Sequence, residues 1–210
     1  DQTSEMSFFN PKVGFNYSLN EKTSLYAFAG LGNKEPSRDD FTESTPNNRP
    51  SHESLLDIEL GYRYFSETVS FSANFYNMQY NNQLILTGEL NDVGSAVRVN
   101  IPDSYRRGLE LTGSFQLMDK LLWRVNATFS ENKIAEFNEF IDNWDTGVKD
   151  PVTHTNTNIA FSPFITGGSQ LIFTPFNSVE NGKLDLALVT KYVGDQFIDN
   201  TKFVEKDGDT

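Results

Sequence analysis

Residues 53–80 constrain the fold most, because they hold two long alternating runs separated by only three residues. In the first run apolar side chains take every second position from Leu56 to Tyr64, with polar, charged or glycine residues between them. The second run repeats this alternation from Val69 to Phe75. Successive side chains of a strand point to opposite faces, so the pattern predicts an antiparallel hairpin with one apolar and one polar face.

The length of these runs favours a membrane setting. Strands of soluble proteins are usually about 5–6 residues long, whereas a tilted strand that crosses a bilayer needs about 9–11. Alternation alone fits a soluble barrel with an apolar interior equally well. Aromatic residues at the ends of the apolar stripes favour the membrane barrel, because Tyr and Trp collect at membrane interfaces. These residues are Tyr17, Tyr62, Tyr64, Trp123 and Tyr192.

The connections between strands alternate strictly in length. The sequence predicts eight strands, with short connections after the first, third, fifth and seventh and long loops at residues 33–52, 81–104 and 131–158. Within the second of these loops, residues 83–87 are predicted to continue the preceding strand. Membrane barrels combine short periplasmic turns with long extracellular loops, whereas β-sandwiches lack this parity. We therefore predict an all-β, antiparallel up-and-down transmembrane β-barrel, with these strands as part of a larger barrel. No helix is predicted, and the seventh strand is predicted to break at Gly167-Gly168.

Composition excludes several functional classes. A net charge of −12 opposes nucleic-acid binding, which needs a basic face. The mean hydropathy of −0.48 still fits a membrane barrel, because only alternate residues face lipid. The chain has no cysteine, catalytic motif, phosphate-binding loop or metal motif, so we expect no enzyme activity, cofactor or metal site. The acidic residues of the third loop lack the spacing of a calcium loop. They include Glu136, Glu139, Asp142 and Asp145.

Charged residues fall between the apolar positions of the strands. If the apolar stripes face lipid, these residues face the lumen, where they form either a wall that contacts substrate or plug, or ion pairs between neighbouring strands. The candidates are Asp57, Glu59, Arg63, Glu110, Arg124, Asp185 and Lys191.

Aromatic residues in the long loops are the candidates for ligand contact. Loops on a rigid scaffold commonly carry binding, and flat rings provide contact area at low entropic cost. Packing within the barrel mouth is the alternative role. The four candidates are Phe41, Phe137, Phe140 and Trp144.

Several motifs, in order along the chain, resemble those of TonB-dependent outer-membrane receptors. They are Asn-Pro-Lys-Val-Gly-Phe-Asn-Tyr at residues 10–17, Glu-Leu-Gly-Tyr-Arg-Tyr at 59–64, Asn-Ile-Pro-Asp-Ser-Tyr-Arg-Arg-Gly-Leu-Glu-Leu at 100–111, and Tyr-Val-Gly-Asp-Gln-Phe-Ile-Asp-Asn-Thr at 192–201. The resemblance implies that residues 1–210 are part of a large barrel, without the plug domain or the terminal strands. It also implies a location in the outer membrane of a Gram-negative cell.

In that family a separate N-terminal plug closes the barrel, and TonB drives import of a scarce nutrient. The resemblance therefore implies outer-membrane lipid, TonB, a plug domain and a small-molecule substrate as partners. The substrate would be an iron chelate, cobalamin or an oligosaccharide, with a ferric siderophore as the leading expectation. Two alternatives are a passive porin-type barrel and a soluble, secreted β-rich binding or adhesion domain.

Overall fold

A computed structural model describes residues 5–44, 49–90, 94, 96–143, 148–178 and 182–201. These residues form nine strands and one short helix. The elements are β1 Lys12–Asn20, β2 Thr23–Lys34, α1 Arg38–Glu43, β3 Glu53–Phe65, β4 Val69–Leu90, β5 Ala96–Met118, β6 Leu121–Asn143, β7 Val148–Asn158, β8 Ile165–Ser178 and β9 Gly182–Val193.

The strands form one antiparallel sheet of up-and-down topology. Eight of them follow the order β1-β2-β3-β4-β5-β6-β8-β9, and β7 pairs with the distal part of β6. The eight-strand path, here called the wall, confirms the predicted barrel architecture. The sheet is not closed, and β1 and β9 lie at its two edges. This is the arrangement expected of part of a larger barrel.

The wall has two chemically distinct faces. On the face that we call outer, one row of paired positions crosses seven strands and contains only apolar side chains. The row consists of Phe15, Ala27, Leu60, Phe75, Leu109, Phe129 and Ile165. Its large members are exposed, with 64% of Phe15 and 54% of Leu60 accessible. Since side chains alternate along a strand, the polar residues between them form the opposite, inner face.

The second and third long connections are largely paired β-structure, and the predicted continuation of the fourth strand over residues 83–87 is confirmed. Strands β4 and β5 continue as a hairpin to Leu90 and Ala96, and β6 pairs with β7 from Lys133 to Asn143. The expectation of a loop over residues 131–158 is therefore wrong. Backbone pairing gives this polar segment its structure, although Pro151 and the Thr- and Asn-rich run after it lack the apolar alternation that marks a strand.

The expectation of no helix is also wrong, because α1 lies in the first long connection. Ser37 caps it: the Ser37 hydroxyl accepts from the Asp40 amide at 3.2 Å, and the Asp40 carboxylate accepts from the Ser37 amide at 2.7 Å. This reciprocal pair satisfies amides that a helix start otherwise leaves open. The helices of the described residues include none with the length and apolar character needed to span a membrane.

The predicted seventh strand, which is expected to begin at Ile159, is interrupted at residues 159–164, between the end of β7 and the start of β8. The prediction that the interruption lies at Gly167-Gly168 is wrong. Phe161 takes the left-handed conformation, with φ of 54°, and Pro163 follows shortly after it. The two glycines lie inside β8. A Cβ at Gly167 would come within 3.3 Å of the Asn126 carbonyl oxygen, so the glycine allows close strand approach.

The buried apolar cluster is formed by the extended β4–β5 hairpin, the β6–β7 hairpin and the first residue of the break that follows β7. It consists of Ile85, Ile101, Ile134, Phe137 and Ile159. We call this cluster, with the hairpins and α1, the mouth.

Residues 194–201 cross the mouth and tie it together. The Asn200 side chain accepts from the Ala160 amide at 2.7 Å and donates to the Leu86 carbonyl at 2.9 Å. Asn200 is only 8% exposed. One amide group therefore joins the extension of β4 to the break before β8.

Candidate functional site

The inner face of the wall carries a polar cavity of about 500 Å³. Its floor comes from β3, β4, β5 and β6, and residues 161–163 of the strand break border it. The alternation of these strands places polar side chains toward the cavity. They include Glu59, Asn74, Arg106, Glu110, Thr128 and Ser130.

Two of the predicted lumen residues meet in this cavity. The Asn74 amide nitrogen donates to Glu59 at 3.4 Å and to Glu110 at 3.3 Å, so it bridges two carboxylates from different strands. Arg106 donates to the Ser162 hydroxyl at 2.9 Å, which fixes the guanidinium beneath the strand break. The cavity therefore presents both carboxylate acceptors and a cationic donor.

Asn74, Arg106 and Ser162 are site residues that the sequence reasoning missed. Asn74 and Arg106 have the inner-face parity of their strands, and that parity was the signal that could have identified them. Ser162 had no comparable signal, because the break before β8 was predicted at the wrong position.

Arg63 and Asp57 flank this cavity on the same face of β3. The Arg63 guanidinium lies 4.3 Å from the centre of the Tyr26 ring, a cation–π contact. The Tyr26 ring lies across Gly61, where a Cβ would overlap it, so glycine is required for this close approach. Asp57 Oδ1 is buried without a hydrogen-bond partner among the described residues.

The remaining lumen candidates lie outside this cavity. Arg124 and Lys191 line a separate inner-face groove of about 580 Å³. Asp185 forms an ion pair with Lys183 at 2.7 Å and accepts from Thr174 at 2.6 Å. The seven candidates thus share one face but do not form a single cluster.

The loop aromatics have different environments. Phe41 in α1 is half-buried, and the Arg49 guanidinium lies 5.8 Å from its ring centre. Phe137 is 4% exposed and stacks on His154 at 5.1 Å, so its ring packs inside the mouth. The backbone of Phe140 pairs with Pro151 in β6 and β7. The Phe140 side chain and Trp144 lie outside the described residues.

The electrostatics of the mouth centre on two carboxylates. Burial alone would raise the pKa of Asp40, but hydrogen bonds from Ser37 and the nearby charge of Arg98 outweigh it and hold that pKa below its ordinary value. Arg98 lies 3.4 Å from the Asp40 carboxylate. Glu139 lies 2.8 Å from His154 Nε2. Among the described residues no group of three or more His, Cys, Asp or Glu side chains could hold a metal ion.

Solved structures share this fold at low sequence identity. The ferric enterobactin receptor of Pseudomonas aeruginosa, in a mutant form, matches 89% of this chain with 19% identity and a TM-score of 0.60. The ferric yersiniabactin uptake receptor of Yersinia pestis matches 90% with 16% identity and a TM-score of 0.61. The copper transporter OprC matches 77% with 17% identity and a TM-score of 0.60.

This chain spans 28%, 26% and 23% of the lengths of those three proteins, respectively. Among curated proteins, none matches it in sequence. The family described as "TonB dependent receptor-like, beta-barrel" matches residues 1–209. Together with the two-faced, up-and-down wall, this match means that the chain belongs to the TonB-dependent receptor-like β-barrel family.

Proposed function

We propose that this chain forms part of the wall and mouth of a Gram-negative outer-membrane receptor that imports a scarce nutrient. The observation that carries the proposal is the two-faced wall, with an exposed apolar outer face and a polar cavity on the inner face. An exposed apolar face of this extent is unfavourable in water and favourable in a bilayer. It thereby argues against the soluble binding or adhesion domain.

The inner face supports contact with a plug domain. The carboxylates of Glu59 and Glu110 line the open cavity of this face, and Asn74 bridges them. Carboxylates form strong, charge-assisted hydrogen bonds, so this surface favours donors from another protein segment. In this proposal the residues predicted to face the lumen meet the plug, with Glu59, Asn74 and Glu110 at the centre.

The mouth supports ligand capture from outside the cell. The hairpins β4–β5 and β6–β7 extend well beyond the length that crosses a bilayer and have their own buried cluster. Phe41 is half-buried beside the cationic Arg49, a pairing suited to a flat or anionic ligand. Because the similar structures are named as receptors for two ferric siderophores and as a copper transporter, a metal chelate is the preferred substrate class.

Growth and uptake measurements test the proposal. A strain that lacks the full-length gene should lose growth on at least one of a panel of ferric siderophores, cobalamin and oligosaccharides as sole sources, and the gene should restore it. Removal of TonB from the restored strain should abolish that growth again. Uptake that persists without TonB would instead support the passive porin. A protein that stays monodisperse in buffer without detergent would support the soluble alternative.

A further inference from the structure

On β5 and β6 the outer face changes from apolar to charged between one pair of positions and the next. Above the apolar pair Leu109 and Phe129, the next paired positions on the same face are Arg107 and Glu131. The pair above these is Tyr105 and Lys133. We call Tyr105, Arg107, Glu131 and Lys133 the outer polar cluster.

The position of this cluster corresponds to a membrane interface. Counting from Leu117 beside the short turn, Arg107 is the eleventh residue of β5. A tilted strand crosses the hydrocarbon layer in about 9–11 residues. The cluster therefore lies at the level of the lipid headgroups on the side of the long hairpins.

The guanidinium of Arg107 is held from two sides. Its Nε and Nη2 lie 2.7 Å and 2.5 Å from one oxygen of Glu131. Its Cζ lies 4.8 Å from the centre of the Tyr105 ring. The Arg107 side chain is nevertheless 53% exposed, and an arginine has five N–H donors, of which Glu131 engages two. The remaining donors form a fixed, accessible edge.

The two basic residues of the cluster, Arg107 and Lys133, lie on the outer face, unlike the other basic residues of the described wall strands. Other basic residues on the described wall strands occupy positions of inner-face parity. They are Lys12, Lys34, Arg63, Arg98, Arg106, Arg124, Lys183 and Lys191. Arg107 and Lys133 are diagonal neighbours on the outer face, a spacing of about 7–8 Å between Cα atoms. With one acid to two bases, the cluster is net positive in a chain of net charge −12.

An apolar groove lies below the cluster on the same face. It has a volume of about 560 Å³, and its lining includes Phe15, Leu60, Phe75 and Leu109. Leu109 is two residues from Arg107 on β5, so the groove and the cluster adjoin. A groove of this kind accepts an acyl chain, and a cationic fork above it matches the geometry of a phosphate.

We propose that Arg107 and Lys133 bind the phosphate of an outer-leaflet lipid headgroup, with an acyl chain of the same lipid in the adjoining groove. Glu131 and Tyr105 orient the guanidinium. This inference rests on the proposed membrane location but not on any substrate or on TonB. It assigns the outer face a specific lipid site in addition to general contact with the bilayer.

Lipid retention on the full-length protein, purified in a neutral detergent, tests the inference. The protein is incubated with lipid A or with its dephosphorylated counterpart, and bound lipid is measured by native mass spectrometry. We expect lipid A to be retained about tenfold more than the dephosphorylated form, because the dephosphorylated form cannot make the charge-assisted hydrogen bonds to Arg107 and Lys133. Added salt should reduce this preference.

Variants locate the site. The double variant Arg107→Gln/Lys133→Gln should lose the preference for lipid A, whereas Arg124→Gln, on the inner face of the same hairpin, should keep it. Retention of folded barrel on unheated gels checks that each variant is intact. Equal binding of the two lipids by the wild type, or a double variant that keeps the full preference, overturns the inference. A protein found in the soluble fraction would contradict the proposed membrane location instead.

Discussion

The wall and the mouth share the continuous strands β4, β5 and β6 but are stabilised in different ways. In the wall the large apolar side chains are exposed, as with Leu60 at 54%, and order comes from the backbone ladder between strands. In the mouth Ile134 is fully buried, and apolar contacts between hairpins dominate. Each of these three strands therefore changes its source of stability along its length, from backbone pairing in the wall to apolar burial in the mouth.

The largest expected effect is in the mouth. Ile134→Ala removes a fully buried side chain and should cost about 2–5 kcal/mol of local stability, because a cavity forms in the cluster. Hydrogen exchange by mass spectrometry should show faster exchange in the β4–β5 and β6–β7 hairpins. Ile58→Ala on the outer face of the wall is the matched control and should leave those hairpins unchanged. Uniform loss of protection throughout both regions would contradict the separation of wall and mouth.

A charge placed on the wall tests its two faces. Leu60→Arg puts a cation on the outer face and should destabilise the protein by about 2–4 kcal/mol in lipid vesicles, as expected near the bilayer midplane. Asn74→Arg, on the inner face beside Glu59 and Glu110, is the control and should cost much less. Urea titration of the vesicle-bound, full-length protein measures both. Equal costs for the two variants would show that the faces are assigned wrongly.

The hydrogen bonds of Asn200 should contribute less to stability than the burial of Ile134 or the apolar character of the outer face at Leu60. Asn200→Ala leaves the Ala160 amide and the Leu86 carbonyl without this partner, at a cost of about 1–3 kcal/mol. Faster hydrogen exchange should appear at both ends of the tie. The control is Asn81→Ala, which removes an exposed hydrogen bond to Asp103 and should have little effect. An unchanged exchange rate at residue 160 after loss of Asn200 would contradict the coupling.

The smallest effect is an acid-dependent loosening of α1. The folded pKa of Asp40 lies below its unfolded value of about 3.9, so its stabilising contribution is fully present above that value and is lost as the pH falls through the folded pKa. Protection of α1 against a protease that acts in acid should therefore decrease below about pH 4. Ser37→Ala should cost about 1 kcal/mol and reduce the pH dependence. A variant with the wild-type pH profile would exclude Ser37 as its cause.

The wall could be predicted from the sequence because each position there has one dominant constraint. Leu56, Ile58 and Leu60 alternate with Asp57 and Glu59, and an alternating period fixes both the strand and its faces. The inner-face parity of Glu59 and Glu110 followed from the same rule. Their bridge through Asn74 did not, because it depends on the register between three strands.

The mouth was harder to predict because its signals are weaker or compete. The segment of β7 contains Pro151 and mostly polar residues, so its pairing with β6 depends on backbone hydrogen bonds that composition does not reveal. The Ser37 and Asp40 spacing carried the signal for α1, but no apolar periodic run followed it. The glycines at 167 and 168 resembled a break, whereas their role is close packing against Asn126.

The open edges of the wall have a consequence for how it enters a membrane. Strands β1 and β9 each present one side on which the described residues provide no strand partner. Unpaired backbone amides and carbonyls cost several kcal/mol each in hydrocarbon. In the proposed outer-membrane setting, the wall can therefore span the bilayer stably only once neighbouring strands complete both edges. Insertion and circumferential closure would then be coupled steps, so partly assembled sheets should stay at the interface before they complete their passage.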